Sequence, residues 1–114
     1  MEIKDENYSI SFNSENSTII CQGVLRLLGS TGYSDIMKLF NDVCDMELLT
    51  IVLNLQELQF LNSSGINAIS NFVIKVRNKN KSRLTVLGSN QFAWQKKTLY
   101  NLQRLMPELT LEIL

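Results

Sequence analysis

The residues with the clearest chemical potential are the amide and hydroxyl side chains of Asn62-Ser63-Ser64-Gly65. They follow an apolar run and precede a segment with helical periodicity, so they are expected at a helix N-terminus. Unpaired backbone N–H groups and the helix dipole favour an anion there, and an exposed serine at this place would suit phosphorylation. The simpler interpretation is that Asn62 or Ser63 only caps the helix, because Asn and Ser are preferred N-cap residues. The local pattern leaves both interpretations open.

Other kinds of site chemistry find little support in the composition. The chain has no histidine, which removes the usual general base at neutral pH and the commonest nitrogen ligand for transition metals. Cys21 and Cys44 are too far apart for a CxxC pair and too few for a disulfide framework, and we expect both to be buried. Asp42, Asp45 and Glu47 cluster without an accompanying base or nucleophile. We therefore predict no enzyme, no metal site and no cofactor.

Length and charge limit the class of protein further. The chain has 114 residues, which predicts one domain over residues 1–114, and 45% of its residues are apolar. Eleven basic residues balance 11 acidic ones, so the chain lacks the positive field that attracts nucleic acid or membrane surfaces. The acidic N-terminus and the lack of a long apolar stretch indicate neither export nor a membrane span. A cytoplasmic protein is expected, with no nucleic-acid or membrane partner.

The first part of the chain predicts a β-hairpin. Apolar residues alternate with serines over residues 8–12, residues 13–16 form a polar turn, and residues 18–25 form the second strand. Gly23 within that strand suggests a bulge or a close backbone approach. Residues 29–32, Gly-Ser-Thr-Gly, are predicted as a loop.

The rest of the chain alternates helices with strands. The most continuous apolar run, residues 48–55, predicts a central strand covered on both faces. Alternation of this kind implies parallel strands joined by right-handed crossovers, and the opening hairpin adds an antiparallel part. The predicted order is β β α β α β α β, in the α/β class. The helices are expected at about 33–45, 64–78 and 91–105, and the further strands at 83–87 and 109–113.

A family resemblance rests on the central strand and the segment that follows it. The run Thr50-Ile51-Val52-Leu53-Asn54-Leu55, then Leu58 and Phe60, then Asn62-Ser63-Ser64-Gly65-Ile66, resembles the signature of STAS domains, the anti-sigma factor antagonists of bacterial partner-switching systems. The family pattern is a buried strand ending in Asp-Leu, a short loop, an aromatic residue, and Asp-Ser-Ser-Gly or Asp-Ser-Thr-Gly before an aliphatic residue. Asn62, and more loosely Asn54, stand where the family has Asp. The resemblance implies a STAS-like fold with a mixed sheet of four to five strands and helices mainly on one face.

The same resemblance implies a regulatory function. Ser63 would be phosphorylated by an anti-sigma factor or switch kinase of the histidine-kinase ATPase type, and a PP2C-like phosphatase would reverse the modification. The unphosphorylated protein would bind the kinase and so release a sigma factor or another output protein. The docking surface would include Asn62, Ser64, Gly65, Ile66 and Asn67.

Two alternatives remain open at the level of sequence. One is a constitutive scaffold or assembly subunit that uses the same surface without phosphorylation. The other is a small-ligand or lipid-handling module, which would need a cavity lined by apolar residues. The sequence also leaves homodimer formation open.

Two further features have a structural and a functional interpretation. The basic residues Lys75, Arg77, Lys79, Lys81 and Arg83 could meet an acidic partner, although such a run is usually a solvated helix end. Trp94 could anchor a partner or cover the edge of the core.

Overall fold

A computed structural model describes all 114 residues and contains six strands and four helices. In chain order the elements are β1 (Glu2–Lys4), β2 (Tyr8–Asn13), β3 (Thr18–Leu25), α1 (Gly29–Gly32), α2 (Ser34–Asp45), β4 (Thr50–Leu61), α3 (Ser63–Lys79), β5 (Arg83–Gly88), α4 (Ala93–Leu105) and β6 (Thr110–Ile113). No helix combines the length and the apolar character needed to cross a membrane.

The six strands form one mixed sheet in the order β1-β2-β3-β4-β5-β6. The pairs β1–β2 and β2–β3 are antiparallel, and β3, β4, β5 and β6 pair in parallel. Because the parallel strands are in sequential order, right-handed crossovers place α2, α3 and α4 on the same face. In agreement, α3 packs between α2 and α4. The predicted mixed α/β fold is confirmed, with β1 as an additional strand that is too short to show a pattern in the sequence.

Strand β4 shows that only one face of the sheet carries the core. Ile51, Leu53 and Leu55 are fully buried, whereas Val52 and Asn54 between them are half-buried. The prediction that this strand is covered on both faces is wrong, because the helices leave the other face of the sheet uncovered. The continuous apolar run reflects β propensity as well as burial.

Two bulges let β4 continue beyond its predicted end at Leu55. Its register with β3 shifts between Ile20 and Gln22 and again between Gly23 and Val24, each time by one extra residue in β4. Each extra residue reverses the alternation of side chains, so Leu58 and Leu61 again point into the core. The predicted irregularity at Gly23 is confirmed: its φ is +93°, and a Cβ there would lie 2.9 Å from Tyr8 Cα.

The segment predicted as a loop at residues 29–32 forms the one-turn helix α1, so that prediction is wrong. Backbone N–H groups of Gly32 and Tyr33 donate to the carbonyls of Leu28 and Gly29 and close the turn. Gly29 begins it with φ +61°, a conformation that glycine adopts without strain. The other helices and strands begin or end within a few residues of their predicted positions.

The basic run and the acidic cluster neutralise each other in part. Lys75 and Lys79 on α3 lie 3.2 and 3.1 Å from Oδ1 of Asp45, at the end of α2. The hydrogen bond from Lys79, and to a lesser extent the one from Lys75, holds the pKa of the Asp45 carboxyl below its usual value. Arg77 donates to the carbonyl of Leu105 at 2.9 Å. These contacts favour the structural interpretation of both charged groups.

The two cysteines and Trp94 belong to the core or its edge. Cys21 and Cys44 are buried and unpaired by disulfide, as predicted. Burial raises the pKa of both thiols, that of Cys21 to about 12, so neither is a thiolate at neutral pH. Trp94 packs against the core and its indole N–H donates to the carbonyl of Leu58 at 3.1 Å, so the core-edge interpretation holds.

Candidate functional site

Asn62 joins three parts of the structure through its side chain. It is the N-cap of α3, and its Oδ1 accepts from the backbone N–H of Gly65 at 3.0 Å. The same oxygen accepts from the hydroxyl of Tyr33 at 2.7 Å, and Nδ2 donates to the carbonyl of Leu27 at 2.8 Å. The capping interpretation is therefore correct for Asn62. The residue also ties the segment after β3 to the start of α3.

This geometry explains why an amide stands where the family pattern has a carboxylate. A carboxylate at residue 62 could still accept from Gly65 and Tyr33, but it has no hydrogen to donate to Leu27. Two acceptor oxygens would then face each other at the position of the 2.8 Å hydrogen bond. The site is thus built for a residue that both accepts and donates.

Tyr33 and Gly65 pack closely beneath the cap. Tyr33 is only 2% exposed, and burial raises the pKa of its hydroxyl, which therefore stays protonated and donates to Asn62. A Cβ on Gly65 would lie 2.6 Å from that hydroxyl and would overlap the side chain of Leu61. Glycine is needed at this position because of close packing, since its backbone is helical.

The predicted site residues share the first turns of α3 but point in different directions. Ser63 and Asn67 are exposed and Ser64 is half-buried. Gly65 is buried, and Ile66 is partly buried against the core, so these two support the surface from below. Ser63 is the first residue of the helix, where the backbone N–H groups have no intrahelical acceptor.

An open groove of about 310 Å³ lies between α3 and the beginning of α2, and Ser64, the residue after Ser63, is part of its lining. Ala68 and Met37 contribute apolar surface, and none of the lining residues is charged. The lining residues are Gly29, Ser30, Tyr33, Met37, Ser64, Asn67, Ala68 and Asn71. The groove therefore suits contact with a protein surface better than capture of an ion.

Several of these residues were not found by sequence reasoning. Ser64, Asn67 and Asn71 recur at helical spacing, so a polar stripe along α3 could have indicated Asn71. Ser30 and Tyr33 come from an earlier part of the chain, and nothing local links them to α3. No three cysteine or carboxylate side chains converge where a metal ion could be held.

Comparison with known proteins gives matches by structure only. No protein-family model matches the chain. No curated protein sequence matches it either.

Three solved structures cover almost the whole chain. A chain in the crystal structure of the diguanylate cyclase SiaD with its activator SiaC, from Pseudomonas aeruginosa, superposes with a TM-score of 0.74 at 10% identity, over 100% of this chain and 99% of that one. SiaC of Pseudomonas aeruginosa gives 0.68 at 11% identity, over 99% and 93%. The Bacillus cell fate determinant SpoIIAA in its phosphorylated form gives 0.56 at 14% identity, over 91% and 89%.

SiaC and SpoIIAA are both STAS-fold proteins. At 10 to 14% identity the likeness concerns the fold rather than the sequence. It agrees with the one-sided mixed sheet and with a helix that starts directly after the central strand. The chain therefore has the STAS fold that the motif around Ser63 led us to expect.

Proposed function

We propose that this chain is a regulatory module that binds a protein partner through the start of α3 and the adjoining groove, and that phosphorylation of Ser63 prevents this binding. The observation that carries the proposal is the position of Ser63. Its side chain is exposed at the first residue of α3, and the following residue, Ser64, lines a groove without charged residues. A hydroxyl placed there is accessible to a kinase, and its modification would change the surface that a partner contacts.

The physical consequence of phosphorylation favours a switch in binding rather than in fold. A phosphate adds about −1.5 to −2 charge at pH 7. At the N-terminus of α3 the free protein tolerates that charge, because the helix dipole and solvent stabilise it. Within an interface around the uncharged groove, the same charge would be desolvated without a counterion. Binding would be lost while the domain stays folded.

The structural neighbours support both parts of this proposal. SiaC is described as the activator of an enzyme with which it forms a complex, and SpoIIAA has been solved in a phosphorylated form. A STAS fold thus serves protein binding in one case and carries a phosphate in the other. For this chain the proposed partner is an anti-sigma factor or switch kinase of the histidine-kinase ATPase type, and a PP2C-like phosphatase would restore binding.

Phosphate transfer from candidate ATPases of the histidine-kinase type tests the switch directly. We expect mass spectrometry to locate one phosphate on Ser63 and none on Ser63→Ala. The matched control Ser34→Ala, which removes an exposed serine at the first residue of α2, should give the wild-type result. Phosphate on another residue, or no transfer from any such ATPase, would contradict the switch. In binding assays, Ser63→Asp should abolish binding to the ATPase, whereas Ser63→Ala should preserve it.

A second candidate function is constitutive activation of an enzyme without a phosphorylation cycle. The superposition with the SiaC-containing complex is closer than that with SpoIIAA, with TM-scores of 0.74 and 0.56. In this case Ser63→Asp and Ser63→Ala would bind the partner equally well. A lipid-handling module is not supported, since apolar residues are not the majority in any of the five surface cavities.

A further inference from the structure

Leu28 is an exposed leucine on a backbone that is held in place. Its side chain is 85% exposed, although Leu25 is buried and Leu27 packs against the core. The carbonyl of Leu27 accepts from Asn62 Nδ2 at 2.8 Å, and the carbonyl of Leu28 accepts from the N–H of Gly32 at 2.9 Å. A single exposed leucine is ordinary on a protein surface. One that is fixed on both sides can be buried by a partner with little loss of backbone entropy.

Leu28 directly precedes two residues that line the uncharged groove. The next two residues, Gly29 and Ser30, line the groove, and Ser64, Asn67 and Asn71 line its other side. The hydrogen bonds of Asn62 to Leu27 and Gly65 therefore hold together the two segments that carry Leu28, the lining of the groove and the exposed Ser63.

The lining of the groove indicates the chemistry of its occupant. A charged side chain that entered the groove would lose its hydration without gaining an ion pair, because none of the eight lining residues is charged. Hydroxyl and amide groups can instead satisfy uncharged polar groups, and Ala68 and Met37 can contact an apolar side chain. The volume of about 310 Å³ is near the lower end of small-molecule sites, which suits a few side chains of a protein segment.

We infer that Leu28 is the apolar anchor of this surface, that Asn62 is the positioning residue that holds Leu28 beside α3, and that the occupant is a segment of a partner protein whose apolar side chains are flanked by uncharged polar residues. The inference deepens the proposed function and depends on it only in taking this surface as the one that binds protein.

A displayed library of peptides tests the chemistry of the occupant. The peptides share a central group of apolar residues, and the flanking positions vary among neutral, acidic and basic residues. We expect selection on the wild-type protein to enrich neutral flanks, and Leu28→Ala to weaken the selected peptides by about tenfold or more. Leu49→Ala is the matched control, because Leu49 is 86% exposed just before β4, and it should bind as the wild type does. Selected peptides with charged flanks, or peptides that bind Leu28→Ala unchanged, would overturn the inference.

Asn62→Asp tests the positioning role. The carboxylate keeps the cap on Gly65 but cannot donate to Leu27, so we expect faster amide hydrogen exchange at Gly32 and Tyr33 and several-fold weaker peptide binding. Protection of the amides in the middle of α3 should remain. Tyr33→Phe serves as a second variant, because it leaves the hydrogen bond from Asn62 to Leu27 intact. We expect it to change the amide hydrogen exchange of Gly32 less than Asn62→Asp does. Unchanged exchange at Gly32 in Asn62→Asp would refute the positioning role.

The outcomes separate this inference from the proposed function. If Ser63 is not phosphorylated but Leu28→Ala still weakens peptide binding, the inferred binding surface is supported and the phosphorylation switch is contradicted. If Ser63 is phosphorylated and Leu28→Ala has no effect on peptide binding, the phosphorylation switch is supported and the role of Leu28 as an anchor is contradicted. Sedimentation of the wild type and of Leu28→Ala tests the remaining occupant. A dimer that becomes a monomer would mean that a second copy of this chain covers Leu28, which would overturn the inference of a partner protein.

Discussion

At the scale of single residues, the site is shaped by close packing beneath the cap of α3. The hydroxyl of Tyr33 reaches Asn62 through a space that Gly65 leaves open, and any side chain at residue 65 would occupy it. Leu61, at the end of β4, fills the other side of the same space. The position of the exposed Ser63 thus depends on buried neighbours, which determine where the first turn of α3 lies.

Gly65→Ala should therefore destabilise the protein although alanine is the better helix former. Overpacking destabilises a protein by about 1–3 kcal/mol, and the higher helix propensity of alanine offsets up to about 1 kcal/mol of this. We therefore expect the free energy of unfolding to fall by about 1–2 kcal/mol. Urea unfolding measures it. Asn67→Ala, at an exposed position of the same helix, should change the free energy of unfolding by less than about 0.5 kcal/mol. Equal stability of Gly65→Ala and the wild type would show that the packing is looser than described.

At the scale of elements, α4 supplies hydrogen bonds to the last part of β4, which leads to the candidate site. The ladder between β4 and β5 ends at Asn54, yet β4 continues to Leu61. The fully buried Gln95 of α4 donates from Nε2 to the carbonyls of Leu55 and Leu58, at 2.7 and 3.0 Å. Its Oε1 accepts from the N–H of Ser89 at 2.7 Å. Buried backbone carbonyl groups need hydrogen-bond donors. The Gln95 side chain thus supplies the donors that a neighbouring strand would otherwise provide.

Gln95→Glu should make stability depend on pH in a defined direction. The buried carboxylate would face two carbonyl oxygens without a counterion, so the pKa of Glu at this position rises above the unfolded value of about 4.3. The unfolded chain then releases its proton more readily, and the penalty relative to the wild type grows as pH rises above about 4.3. We expect a loss of about 2–4 kcal/mol at pH 7 and a clearly smaller loss near pH 4.

Urea unfolding of the two proteins across this pH range measures the difference. Gln91→Glu, at an exposed position before α4, is the control and should show almost no pH-dependent change. A penalty that is the same at pH 4 and pH 7 would mean that charge is not the cause.

At the scale of the whole molecule, the sequence predicts what is periodic and local, and misses what depends on distant contacts. The helices at α2 and α3 and the motif at Ser63 follow from patterns within a few residues. The partners of Asn62 do not, because Tyr33 and Leu27 are 29 and 35 residues away. The continuation of β4 was missed for the same reason, since Gln95 is 40 residues from Leu55. The sequence thus predicts that the candidate site lies at the start of α3, but it does not predict the contacts that shape this region.

These distant contacts imply that the molecule unfolds as one unit. A single cluster of 26 buried apolar residues includes both cysteines, Cys21 in β3 and Cys44 in α2, on opposite sides of the interface between sheet and helices. Burial raises the pKa of both thiols, so neither can react with a thiol reagent until it is exposed.

Thiol labelling of the single-cysteine variants Cys21→Ala and Cys44→Ala should therefore give the same opening free energy, within about 1 kcal/mol, and the same dependence on urea. That result is expected if the sheet and helices separate only in global unfolding. A urea-independent rate at Cys44 alone would show that α2, which lines the groove through Met37, opens by itself. The surface would then be flexible on the helix side, and the fixed geometry of Leu28 and Asn62 would not extend to Met37.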